Sequence, residues 1–149
     1  MGQGALVSEQ IEAGARFLRE FDKYAPVKVA FWIKETEVGR WYLYVTSEKI
    51  TAEDVYSAYG EVVRLARVMQ DPWFDMFQVK VVEADHPKAK AAAELQRRYP
   101  RRVPLRFQDE IFGGVHVEEG YIYPPLTPAP AQEGRSTKEP GSRQAARDS

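Results

Sequence analysis

Two short stretches of strict alternation, separated by a polar loop, constrain this chain more than anything else in it. Over residues 27 to 34, Val29, Phe31 and Ile33 fall on one side of an extended backbone, and Lys28, Ala30, Trp32 and Lys34 on the other. That two-residue period is the period of a strand. The polar run Glu35 to Arg40, with Gly39 inside it, reads as a hairpin loop into a second alternating strand over 41 to 46. There Trp41, Leu43 and Val45 share one face, and Tyr42, Tyr44 and Thr46 share the other.

Helical spacing flanks the hairpin. Ile11, Ala15, Leu18 and Phe21 recur at intervals of three and four between Ser8 and Tyr24, with Ser8 as the expected N-cap and Pro26 as the stop. Thr51 and Asp54 form a capping box ahead of Val55, Ala58, Tyr59, Val62, Ala66 and Met69, and Asp71-Pro72 closes that helix. A third strand over 77 to 83 sets Phe77, Val79 and Val81 against Gln78, Lys80 and Val82. Asp85 and Pro87 open an alanine-rich helix that runs to Tyr99-Pro100. Two shorter strands, 111 to 117 and 121 to 123, are expected to close the fold as a hairpin turning at Glu118-Glu119-Gly120, with Gly113-Gly114 marking a bulge or kink. The order α-β-β-α-β-α-β-β predicts an α+β fold: a two-layer sandwich whose mainly antiparallel sheet carries about three helices on one face.

The 149 residues suit one domain, expected over 5–124, and 44% hydrophobic residues supply a core. After Tyr123 the composition turns to Pro, Ala, Ser, Gly and scattered charge, with no large apolar residue past Leu126, so 125–149 are expected to be a disordered tail. The chain has no cysteine, which excludes a disulfide framework, a thiolate nucleophile and a Cys-based zinc site. The 21 basic residues nearly balance the 22 acidic ones, so no global field draws the chain to nucleic acid or an anionic membrane. No signal-peptide pattern and no run of about 18 apolar residues is present, giving the expectation of a cytoplasmic protein without a membrane partner.

The stretch Ala30-Phe31-Trp32-Ile33, the polar loop, Gly39-Arg40-Trp41-Tyr42-Leu43-Tyr44-Val45-Thr46-Ser47, and then Ala58-Tyr59 in the next helix, resembles a group of small bacterial proteins to which no activity is assigned. In that group a strand of AFWL type leads through an acidic loop to an aromatic strand ending in a small residue and Ser. The resemblance covers about Tyr24 to Met69 and implies a bacterial origin.

Three constellations carry chemistry. If the three strands are neighbours, Lys28, Trp32, Lys34, Tyr42, Tyr44, Gln78 and Lys80 lie together on the second sheet face. Aromatic rings among lysines suit base stacking and phosphate contact, and equally the centre of a protein interface. A helix over that face, with lysine heads reaching past it, is the purely structural alternative. Arg97, Arg98, Arg101, Arg102 and Arg106 put five guanidinium groups within ten residues, suited to phosphate or carboxylate, or to a solvated helix end. His116 with Glu118 and Glu119, near Asp109-Glu110, combines an imidazole with carboxylates that can serve acid–base or metal chemistry, although a polar turn has the same composition. No nucleophile-elbow, zinc-protease, calcium-loop or dinucleotide motif is present. The resulting expectation is a non-enzymatic binding or assembly module that self-associates or meets a protein partner through the aromatic and lysine face, without cofactor or metal. The alternatives are a nucleic-acid binder using that face with Arg97 to Arg106, and a small hydrolase or metal-dependent enzyme around His116, Glu118 and Glu119.

Overall fold

The pairing of the first two strands decides the architecture. In the computed structural model, which describes residues 4–100 and 103–126, β1 (Val29–Glu35) runs antiparallel to β2 (Trp41–Ser47), with Trp32 opposite Leu43 and Phe31 opposite Tyr44. β3 (Val79–Glu83) pairs in parallel with β2, as expected of two strands joined through a helix. β4 (Leu105–Phe112) and β5 (Val115–Ile122) form the closing hairpin, and β5 docks antiparallel on β1. The sheet order is β3-β2-β1-β5-β4. With α1 (Ser8–Tyr24), α2 (Val55–Met69) and α3 (Pro87–Arg98), the chain has the α+β class and the element order that the sequence predicts.

The layering differs from the expectation. α1 and α2 cover one face, where Phe17, Leu18, Phe21, Ala58, Val62 and Leu65 pack with Trp32, Leu43 and Val45. α3 lies on the opposite face, its Ala89 and Ala92 against Phe31, Phe112 and Ile122. The protein is therefore a three-layer α/sheet/α arrangement and not a two-layer sandwich. The cause lies in β1, which is apolar on both sides and so has two faces to keep from water. Alanines on α3 let its backbone approach the aromatic side chains closely.

One buried hydrogen-bond relay ties α1 to the sheet. The Trp32 indole donates to the Tyr123 hydroxyl at 2.9 Å, and that hydroxyl donates to the Ile11 carbonyl at 2.7 Å. Burial pushes the Tyr123 hydroxyl far up, so it remains a donor. Tyr123 also donates its backbone N–H to the Ala30 carbonyl, and its own carbonyl accepts from Gln96 of α3 at 2.8 Å. The relay needs Gly14 on α1, because a β-carbon there would stand 2.3 Å from the Tyr123 hydroxyl oxygen.

Several local expectations are corrected. The closing hairpin turns at Gly113-Gly114, both with positive φ (61° and 90°), which is the pattern of a two-residue type I′ turn. Glu118-Glu119-Gly120 lies inside β5 instead. Asp109 (φ 50°) and Glu118 face each other where both strands drop out of the ladder, and the inward side of each strand switches parity there. Phe107 and Phe112 thus reach the same α3 side. Phe107 covers Gly120, whose missing side chain makes room for the ring. Phe77 belongs to a 3-10 turn, Met76–Gln78, and is exposed rather than on the core side of β3. Ser8 sits just inside α1. The preceding Val7 caps the helix, and the Gln10 side chain accepts the Val7 N–H at 3.2 Å. The expected tail lies outside the described residues beyond Leu126, which packs against the α1–α2 core. Among the described residues no helix is long and apolar enough to cross a membrane.

Two helical glycines separate packing from propensity. Gly14→Ala gains helix propensity but overpacks the relay, so it should lower unfolding stability by about 1–3 kcal/mol. Gly60→Ala on α2, with nothing within 4 Å of its new β-carbon, should raise it by about 0.5–1 kcal/mol. Urea unfolding of both variants checks the pair. Equal, stabilising effects would show that the close approach at Gly14 is absent.

Candidate functional site

The residues expected to share one sheet face are divided between two covered ones. The β1–β2 register sets Trp32 beside Leu43, on the α1–α2 side, and Tyr44 beside Phe31, on the α3 side. Trp32 is 2% exposed and Tyr44 5% exposed, and Tyr44 stacks on Phe31 with ring planes 2° apart. The lysines are held elsewhere. Lys28 pairs with Glu48, Lys34 with Glu118 at 3.5 Å, and Lys80 lies 4.6 Å from the centre of the Tyr42 ring. Gln78 is buried and donates to the Trp41 carbonyl. No stacking platform is assembled, because a shift of one residue in pairing sends a side chain to the other side of a sheet.

The other two constellations are also dispersed. Arg97 and Arg98 both pair with Glu94 of their own helix, Arg106 lies over the Tyr121 ring at 4.9 Å, and Arg101 and Arg102 lie outside the described residues. His116 is exposed and its Nδ1 meets the Thr36 hydroxyl. Glu118 is engaged by Lys34, and Glu119 accepts from Gln108 at 3.4 Å. The three side chains thus answer to three different partners. Among the described residues no group of three His, Asp or Glu is placed to hold a metal ion.

The structure does gather one set of titratable groups that the sequence reading left unconnected, at the N-terminus of α3. Lys88 pairs with Glu35 at 3.1 Å, the Tyr44 hydroxyl donates to the same carboxylate at 3.4 Å, and Lys88 Nζ stands 5.4 Å from the Tyr44 ring centre. Burial raises the Tyr44 hydroxyl, an effect that Lys88 partly offsets. Burial also pulls Lys88 down, yet its hydrogen bonds and charge interactions with Glu35 and Tyr44 together outweigh this and leave the ammonium raised. A lysine held in its charged form is a poor nucleophile or base, and the Lys88–Glu35 pair clamps α3 to β1. His86 completes it as N-cap, its Nδ1 accepting the Lys88 N–H at 3.1 Å, with Pro87 in the first helical position. That role was readable in the sequence from the placement of His86 directly before the proline.

With both sheet faces occupied, the accessible features lie on the helical layer. An apolar groove of about 230 Å³ runs between α2 and the Met76–Gln78 turn, lined by Tyr59, Val62, Val63, Met76, Phe77 and Val79. Phe77 is 79% exposed on its rim, and Tyr56, two helical turns before Val63 on the same side of α2, is 90% exposed. The β3 backbone beside the groove is partly occupied, since the Val81 N–H donates to the Tyr59 hydroxyl at 3.0 Å. A second, larger cleft of about 470 Å³ opens between α1 and α2. Comparison with protein-family models, with curated proteins and with solved structures gives no match.

The His86 cap carries a pH signature. Burial, and then Lys88, hold the imidazole below its usual value near 6.5, against a weaker upward pull from Asp85 and Glu35. The folded state therefore takes up this proton less readily than the unfolded chain, so the contribution is complete above about pH 6.5 and is lost as the pH falls from there through the lowered folded-state value. The wild type should lose up to about 1 kcal/mol, the worth of an N-cap, between pH 7.5 and 5.5 relative to His86→Asn, which caps without titrating. Parallel urea titrations at the two pH values measure the difference. Identical pH slopes would remove His86 as the acceptor.

Proposed function

We propose that the protein is a non-enzymatic binding or assembly module, and that its contact surface is the α2 and Met76–Gln78 edge, where copies of the chain pair. The observation that carries the reading is the exposure of Phe77 (79%) on the rim of an apolar groove, with Tyr56 (90%) exposed farther along α2. Large rings left in water beside an apolar concavity are the usual signature of a protein contact, and aromatic residues are enriched at interface centres.

Self-pairing is favoured by the shape of the patch. A projecting ring, Phe77, and a groove stand side by side on one surface, so a two-fold axis between them lets each copy insert its ring beside the groove of the other. A volume of about 230 Å³ is ample for a ring, since an apolar cavity of about 150 Å³ admits benzene. The formal net charge of −1 imposes little repulsion between copies. Removing both rings from water in each copy supplies the driving force.

Sedimentation across a concentration series tests this. Wild type should approach twice the chain mass at micromolar concentrations. Tyr56→Ala/Phe77→Ala should remain at one chain mass with an unchanged circular dichroism spectrum, because neither ring belongs to the core. Ile111→Ala, which trims an exposed residue on β4, should pair like wild type. A wild type that stays monomeric to its solubility limit, or a double variant that pairs as wild type does, rules the surface out.

A further inference from the structure

The cleft between α1 and α2 is chemically unlike the apolar groove. Its α1 wall carries Arg16, Arg19 and Glu20, and its α2 wall carries Arg64 with Leu65, Val68 and Met69. Leu65 reaches the core at the base, while Val68 is 68% exposed, so an apolar strip runs beside a rim of three guanidinium groups and the Glu20 carboxylate. The volume of about 470 Å³ falls in the range of small-molecule sites, which is about 300–1,000 Å³.

The guanidinium groups are not equivalent. Arg16 is held by Asp71, whose side chain is nearly buried, and Arg64 is held by Glu61 through Nε and one terminal nitrogen. Those pairs position two forks at the rim and leave each with further donors. Among the described residues, no hydrogen bond or ion pair holds Arg19. A guanidinium is weakly hydrated and matches a carboxylate with two parallel hydrogen bonds. Apolar side chains beside such a fork select for a hydrocarbon body attached to the anion.

We infer that this cleft binds a small amphipathic carboxylate, its anionic head on Arg19 with Arg16 and Arg64 flanking, and its apolar body along Leu65, Val68 and Met69. The site lies on the flank of α2 away from Tyr56 and Phe77, so it is independent of the pairing surface.

Titration calorimetry of the full chain with octanoate, 1-octanol and acetate, each alone, is the test. Octanoate should bind, and both octanol, which lacks the charge, and acetate, which lacks the body, should bind at least tenfold more weakly. Arg19→Met keeps the length and removes the fork, and should weaken octanoate about tenfold or more. Val68→Glu places a carboxylate on the strip and should abolish binding. Both changes are at exposed positions, and circular dichroism confirms that the variants fold. The inference is overturned if octanoate fails to bind at millimolar concentration, if octanol binds as well as octanoate, or if either variant binds octanoate as wild type does.

Discussion

The β1–β2 register is the constraint on which the rest of the structure depends. With Trp32 opposite Leu43 and Phe31 opposite Tyr44, the aromatic content of one hairpin is shared between two sides of the sheet. Neither side can then be left wet, since each presents several large apolar side chains whose burial stabilises by about 1.5–3 kcal/mol apiece. α1 and α2 answer on one side and α3 on the other. Tyr123 joins the three layers: its hydroxyl links Trp32 to α1, its N–H reaches β1, and its carbonyl takes Gln96 from α3.

How far the sequence could be read follows from which signals are local. The element order is local. Alternation in 27–34 and 41–46, helical spacing from Ile11 to Phe21, and the Thr51–Asp54 box all depend on residues a few positions apart. The relative faces of Trp32 and Tyr44 are not local, because they depend on the parity of the pairing across the loop. The side chosen by α3 is likewise a property of the whole, decided by the apolar Val29, Phe31 and Ile33 that remain once α1 and α2 are in place. β4 escaped reading because Asp109, with its positive φ, breaks the alternation between Phe107 and Phe112. The Gly113-Gly114 pair was the available signal for that hairpin, and its two positive φ angles explain why both positions are glycine.

The candidate site was less legible than the fold for the same reason. Residue types suited to binding lie in β1, β2 and α3, but their side chains find partners inside the molecule. Trp32 is hydrogen-bonded in the core, Arg97 and Arg98 are paired with Glu94, and His116 meets Thr36. What remains open comes from residues that a periodic pattern assigns to structure. Phe77 reads as strand and Tyr59 as a core stripe, and only the 3-10 turn before β3 puts the former in water and makes the latter a groove wall. A fold that covers both faces of its sheet transfers its exposed chemistry to the outer surfaces of its helices.

The cover that α1 and α2 place on the sheet is most directly tested by the exposure of Trp32 and Trp41 to a small polar quencher. The chain has three tryptophans, and Trp73 alone is substantially exposed, at 49%. In Trp73→Phe the remaining emission reports the α1–α2 side of the sheet, where Trp32 and Trp41 are buried. Acrylamide should quench this variant in native buffer far less than in urea, and far less than it quenches native wild type. Quenching in native buffer as efficient as in urea would mean that the aromatic hairpin is open to solvent, and the three-layer arrangement would be wrong.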